Sequence, residues 1–188
     1  MSNNIIYVAI DTETTGLDVE NHSVCQIALI AFDRSGFIES YGTDVYSQDQ
    51  FDPKAFEVNE FTLERLQRGV SVDHVCCQIN NFYDNLKQDG RTIISVMHNA
   101  PFDVKFIEAL FRRSKIEMDS QMFRRTLDTV SLAFAAGIGD FQKTLSLSTV
   151  FKAVTGHDMF GQHDAYNDAE AVAIITRDLL HNHFDKNE

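Results

Sequence analysis

The run Ile5-Ile6-Tyr7-Val8-Ala9-Ile10 is apolar at every position apart from one tyrosine hydroxyl, and it ends directly on Asp11-Thr12-Glu13. A run this short and this rich in β-forming residues reads as a strand buried on both faces, which places it centrally in a sheet. Side chains along a strand alternate, so Asp11 and Glu13 share one face. Two like charges at the mouth of a buried strand repel each other unless something positive lies between them. A divalent cation with hard oxygen ligands is the simplest such partner. Thr14-Thr15-Gly16 then supplies a tight turn with exposed backbone N–H groups.

Two more strand-like runs follow, Val24–Asp33 and Phe37–Tyr46, joined at Ser35-Gly36 as a hairpin turn. Polar residues around Ser47–Asp52 close this first part. Thr62–Arg68 reads as a short helix closed by Gly69. Ser71–Gln88 has helical spacing, with Ser71 as N-cap and Gly90 beyond its end. Thr92–His98 is a fourth strand, and Phe102, Phe106, Ile107, Leu110 and Phe111 form a helical stripe with Pro101 near its start. Thr126–Asp128 is a short fifth strand leading into a helix through Ala136. Ser148–Thr155 is helical and ends at Gly156. Ala165–His183 is the clearest helix, with Asp164 as its N-cap. Three strands, then strands alternating with helices, imply an α/β domain with a mixed sheet covered by helices. There is no repeat and no linker, so the 188 residues read as one domain, 1–188.

Composition excludes several classes. The formal net charge is -12, which argues against a protein that coats nucleic acid nonspecifically. It leaves room for an enzyme that needs only one end of a strand. No apolar run reaches the length of a membrane span, and MSNNIIYVAIDTE lacks the basic region and cleavage site of a signal peptide. Three cysteines (Cys25, Cys76 and Cys77) are an odd number without CxxC spacing, which points to a reduced, cytoplasmic chain with no membrane partner.

Two further segments carry acids at element ends. In His98-Asn99-Ala100-Pro101-Phe102-Asp103 a strand gives way to a helix, with Asp103 in its first turn. In His163-Asp164-Ala165-Tyr166-Asn167-Asp168, a His163 that precedes the helix is free to turn toward Asp168. Taken singly, each has an ordinary structural explanation: acids favour helix N-termini through the dipole. Taken together, Asp11, Glu13, Asp103, His163 and Asp168 lie at strand or helix ends, where ligands of open α/β sheets gather. Four carboxylates and one histidine suit a two-magnesium site for phosphoryl displacement.

DTETTGL at 11–17, HNAPFD at 98–103 and HDAYND at 163–168, in that order, resemble the three motifs of the DEDDh 3′–5′ exonucleases. The likeness runs from about Ile6 to Leu180. FEVNEFT at 56–62 and TLDTVSLA at 126–133 resemble the family's connecting segments, although Glu60 stands where relatives commonly carry glycine. DTETTG and HNAPFD are closer to the proofreading and ribonuclease T branches than to oligoribonuclease.

The resemblance implies a ribonuclease-H-like fold, here a mixed five-stranded sheet flanked by helices. It implies hydrolysis of terminal phosphodiesters with release of nucleoside 5′-monophosphates, supported by two Mg²⁺ and also by Mn²⁺. By motif position Asp11 bridges both metals, Glu13 and Asp168 complete the site of the attacking water, Asp103 serves the second metal, and His163 is the general base. Backbone near Thr14 meets the terminal 3′-OH, Leu17 wedges against the last base, and His98, Asn99 and Phe102 line the nucleotide pocket. The expected partner is a single-stranded or frayed 3′ end, with DNA favoured. The runner-up is an RNA 3′-end trimmer of the ribonuclease T type. From another class, a catalytically silent exonuclease-like binding module is the alternative, against which five intact residues speak. Homodimers occur in the family and are left open. The chain stops soon after its last helix, so association with a polymerase is not evident.

Overall fold

A computed structural model of the protein describes residues 4–48, 51–88, 90–138 and 145–180. Strands β1 (Ile5–Thr14), β2 (Val24–Asp33) and β3 (Gly36–Asp44) come first. Helices α1 (Pro53–Asn59), α2 (Leu63–Gln67) and α3 (Val72–Lys87) follow. Then come β4 (Thr92–Met97), α4 (Ala100–Ser114), β5 (Thr126–Asp128), α5 (Thr129–Ala135), α6 (Leu147–Thr155) and α7 (Ala165–Leu179). The sheet order is β3-β2-β1-β4-β5. β1 pairs antiparallel with β2, and β2 with β3, while β4 runs parallel to β1 and β5 parallel to β4. The mixed five-stranded sheet with flanking helices matches the sequence expectation, and the apolar run of β1 is its central strand.

Alternation along β1 divides the core. Ile6, Val8 and Ile10 join Ile27, Leu29 and Ala31 of β2 in one cluster with buried residues of α3 and α4. Tyr7 and Ala9 join Ala28, Ile30 and Phe32 in a second cluster with Ala165, Ala169, Val172 and Ala173 of α7. The alanines on both sides of that seam let α7 lie close to the sheet. By the same alternation Asp11 and Glu13 belong to the α7 face, and Thr12 to the α4 face.

The strand-to-helix turn after β4 is built by two devices. Asn99 adopts a left-handed backbone (φ 64), which reverses the chain sharply before Ala100. Asp128 then accepts the N–H groups of Asn99 and Ala100, at 3.3 and 2.9 Å, while capping α5 through Val130. Pro101 sits in the first turn of α4, where its missing N–H costs nothing.

Several boundaries differ from expectation. β1 extends through the acids to Thr14 rather than ending at them, because Thr12 and Glu13 continue the ladder to Ile27 and Gln26. β3 stops at Asp44, and Val45 bridges Val70 instead. α1 is an additional helix; Asp52 caps it through the N–H of Lys54, and Pro53 opens it. Glu60, in the place of a family glycine, takes the left-handed conformation at the end of α1 (φ 53). α2 ends at Gln67 with Arg68 as its C-cap, and Gly69 follows with its N–H on the Leu66 carbonyl at 3.2 Å. A Cβ at Gly69 would lie 2.5 Å from the backbone at Val45 and Tyr46, so the glycine serves a close chain crossing. Ser71 flanks α3 without a side-chain capping bond. α7 is assigned to Leu179, and the expected continuation to His183 lies outside the described residues. No helix among the described residues is long and apolar enough to cross a membrane.

Candidate active site

Five of the residues singled out in the sequence lie at the shared end of β1 and β4. The start of α7 faces Glu13: ligand atoms of Glu13, His163 and Asp168 all lie within 4.8 Å of one another. Asp11 is next along the same face and experiences the charges of Asp103, Asp168 and Glu13. Asp103 is held from the other side, where its Oδ1 accepts the Thr12 N–H at 3.0 Å and the Thr12 hydroxyl at 2.8 Å. β1 thus carries two acids toward one layer and fastens a third from the opposite layer.

His163 precedes α7, as expected from Asp164, whose Oδ1 caps the helix through Tyr166 and Asn167. Its own backbone is left-handed (φ 64), and its N–H reaches Oδ2 of Asp168 at 3.3 Å. Gly161 supports this turn: its carbonyl accepts Nδ2 of Asn167 at 3.1 Å, and a Cβ there would come within 2.4 Å of that nitrogen.

The carboxylates strain against one another. Burial first, and then the charges of Asp103, Asp168 and Glu13, hold Asp11 well above the ordinary carboxylate range. Burial and Asp168 push Glu13 up to about 8, although a hydrogen bond with the Asn59 side chain pulls the other way. Burial raises Asp103 to about 7 against its two bonds from Thr12. Asp168 is raised to about 6, again mainly by burial, with the His163 N–H opposing. Oδ1 of Asp168 is buried and has no hydrogen-bond partner, in a donor set of oxygens with one imidazole. Such a set fits hard divalent cations.

A consequence for stability follows. Between the ordinary carboxylate range and about pH 8, the folded chain keeps protons on these acids that the unfolded chain has released. Their contribution to stability is complete at the acid end of that window and is lost as pH rises through it. The metal-free protein is expected to melt at a lower temperature at about pH 8 than at about pH 5.5, and saturating Mg²⁺ to remove most of that difference. Melting curves with EDTA and with Mg²⁺ across the window test this; a metal-free melting temperature that rises with pH contradicts it.

Beside the acids lies a cavity of about 270 Å³ whose lining includes Thr12, Glu13, Thr14, Leu17, Val58, Asn59 and Phe102. Leu17 projects into solvent, 74% exposed. Of the five residues the resemblance offers as substrate contacts, Thr14, Leu17 and Phe102 are in this lining, and His98 and Asn99 are not. Both nitrogens of His98 are engaged, Nδ1 with the Thr129 hydroxyl and Nε2 with the Leu145 carbonyl, each at 2.8 Å. His98 therefore braces β4 against α5 and the segment before α6. Asn99 is exposed, and its conformation serves the turn into α4. Arg113 donates to the carbonyls of Val19 and Glu20.

Thr12 and Asn59 support the site without belonging to any expected set of site residues. Asn59 donates to the Thr14 carbonyl at 3.3 Å and accepts from Phe61, which fixes its amide near Glu13. Nothing in the local pattern announces either role.

Comparison with known proteins agrees with this geometry. The model of the exonuclease family that includes ribonuclease T matches residues 8–176. The chain is 27% identical over 186 residues to DNA polymerase III subunit epsilon of Treponema pallidum, covering 98% of this chain and 80% of that protein. It is 28% identical over 175 residues to the 3′-5′ DNA exonuclease Cap18 of Escherichia coli, covering 92% and 90%. Among solved structures, the nuclease domain of 3′hExo, a DEDDh family member bound to rAMP, superposes with a TM-score of 0.79 at 15% identity, covering 95% of this chain and 93% of that one. Exonuclease I of E. coli in complex with single-stranded DNA gives 0.79 at 19% identity, and there the chain spans only 42% of the matched chain. Acids from β1, α4 and α7 converge within the matched span, and the chain belongs to the exonuclease family, as a phosphodiester hydrolase of the 3′–5′ kind.

Proposed function

We propose that residues 1–188 form one exonuclease unit that removes nucleoside 5′-monophosphates from single-stranded or frayed 3′ ends, with DNA preferred. The observation that carries this reading is the meeting of Glu13, His163 and Asp168 within 4.8 Å, beside a buried carboxylate oxygen that lacks a partner. Asp11, Glu13, Asp168 and Asp103 hold two divalent cations, Mg²⁺ or Mn²⁺. When bound, these supply Lewis-acid charge that offsets the leaving 3′ oxygen. His163 takes the proton of the attacking water, and its left-handed turn aims the imidazole at the acids rather than along α7. Leu17, Val58 and Phe102 offer apolar surface to the terminal base, and the backbone at Thr14 receives the 3′-OH. A cavity of about 270 Å³ has room for about one nucleotide, which favours frayed ends and mononucleotide products. A cytoplasmic setting is consistent with Cys25, Cys76 and Cys77 all being free thiols.

The preference for DNA leans on relatives that are a DNA polymerase subunit and a DNA exonuclease. The rAMP bound to the similar 3′hExo domain keeps an RNA 3′-end trimmer as the second reading. The test uses end-labelled single strands of equal sequence in DNA and RNA, with Mg²⁺ and with EDTA, and products resolved by length. Expected are stepwise shortening from the 3′ end with Mg²⁺, none in EDTA, and higher kcat/KM on DNA. RNA preferred by about tenfold, equivalent to about 1.4 kcal/mol of transition-state discrimination, selects the trimmer. Tight binding with no hydrolysis selects the silent module, and cleavage of a circular strand contradicts the need for a 3′ end.

A further inference from the structure

Within the apolar run VCQIALIAF of β2, Gln26 is the one polar side chain, and it is buried. Its amide is used outside the sheet. Nε2 donates to Oδ2 of Asp164 at 3.0 Å, and Oε1 accepts the backbone N–H of Ala165 at 2.9 Å. A primary amide is suited to this, because it offers a donor and an acceptor side by side. Asp164 divides its two oxygens between tasks: Oδ1 caps α7, and Oδ2 meets Gln26.

The register gives this bond pair its meaning. Gln26 stands directly opposite Glu13 in the antiparallel ladder of β1 and β2. Directly opposed residues of such a ladder project from the same face. On the far side of the bond, Asp164 and Ala165 lie between His163 and Asp168. The amide therefore ties the strand pair that bears Glu13 to the helix start that bears the other two members of the cluster. His163 is exposed and its backbone is strained, so it depends on its neighbours to hold that conformation.

We propose that Gln26 is a positioning residue for the hydrolytic centre: its amide locks the first residues of α7 to β2 and so sets His163 and Asp168 against Glu13. The inference rests on the proposed roles of those three residues, and it assigns Gln26 no contact with substrate. Loss of the lock leaves the nucleotide cavity in place, because none of its lining residues is bonded to Gln26 by this pair. The expected signature is a fall in kcat with KM nearly unchanged.

An exchange of chemical roles across the bond tests this. Gln26→Glu still accepts from Ala165 but turns a carboxylate toward Oδ2 of Asp164. Asp164→Asn still caps α7 but opposes one amide donor to another. Q26E/D164N again places a donor against an acceptor, with the roles reversed. Each single variant is expected to lose roughly 10- to 100-fold in kcat, since small misplacement of a reacting group costs that order. KM for the oligonucleotide should stay within about threefold, and the double variant should recover at least about tenfold over the slower single. A second readout needs no turnover: the rise in melting temperature on adding Mg²⁺ should shrink in both singles and return in the double. Singles with wild-type kcat and an unchanged Mg²⁺ response overturn the proposal, as does a folded double variant no better than its parents. If Gln26→Glu fails to fold, the comparison of Asp164→Asn with the double variant decides in the same way. A wild type inert with every oligonucleotide would instead overturn the proposed function, and the Mg²⁺ melting response would still report on the lock.

Discussion

Asp11→Asn is expected to abolish Mg²⁺-dependent hydrolysis and, at about pH 8, to raise the melting temperature of the metal-free protein. Both halves come from one cause. Asp11 is pressed by burial and by Asp103, Asp168 and Glu13, and the folded state carries that repulsion whenever the acids are ionised without a counter-charge. Replacing one carboxylate by a neutral amide relieves it and gives the remaining acids an N–H donor. The same replacement removes one of the four carboxylates proposed to hold the cations. The loss of rate should be on the order of 10³-fold or more, since charge stabilisation by a metal is worth several kcal/mol. Calorimetry in EDTA and single-turnover kinetics in Mg²⁺ measure the two effects on one preparation. A variant that is both active within about tenfold and less stable than wild type at that pH refutes the account of the cluster.

His163→Gly carries the second large effect. Glycine accepts the left-handed backbone of this position at no cost, so the variant isolates the imidazole from the turn that holds it. The expected loss in kcat is about 10²–10⁴-fold, the usual worth of a positioned general base, with oligonucleotide affinity largely kept. Added imidazole should restore part of the rate, because the side chain is exposed and its removal leaves an open space beside Glu13 and Asp168. Unchanged kcat would exclude His163 as the base. Lost affinity with intact kcat would make it a binding residue instead.

The parts of this molecule visible in its sequence are those written in short-range patterns. An unbroken β-rich run announced a central strand, period-two alternation put Asp11 and Glu13 on one face, and Asp164 announced the start of α7. The short strand Thr126–Asp128 was legible because it was bounded by polar residues and a helix. The seven residues of α1 are too few for periodicity to show, although Asp52-Pro53 is a usable start signal. The surroundings of His98 are hidden from the sequence for a different reason. Its neighbours in sequence approach the site, but its ring is claimed by Thr129 and by a carbonyl 47 residues away. The bonds from Thr12 to Asp103 span 91 residues, and no local pattern encodes such a partner. Gln26 did leave a trace, a single polar residue inside an apolar run, which is a sign of a buried bond with a distant group.

The division of β1 between two layers bears on which changes of length the chain can absorb. Loops can gain or lose residues at small cost, since closure entropy grows slowly with length. β1 has no such freedom between Ile5 and Thr14. Deleting one residue ahead of Asp11, with the ladder to β2 and β4 kept, would carry Thr12 onto the α7 face and swing both acids toward α4. Glu13 would leave His163 and Asp168, and Asp103 would meet a carboxylate where it now meets a hydroxyl. Among chains that keep this chemistry, insertions and deletions should therefore collect in the connections, while the count from the first apolar residue of β1 to its second acid stays fixed.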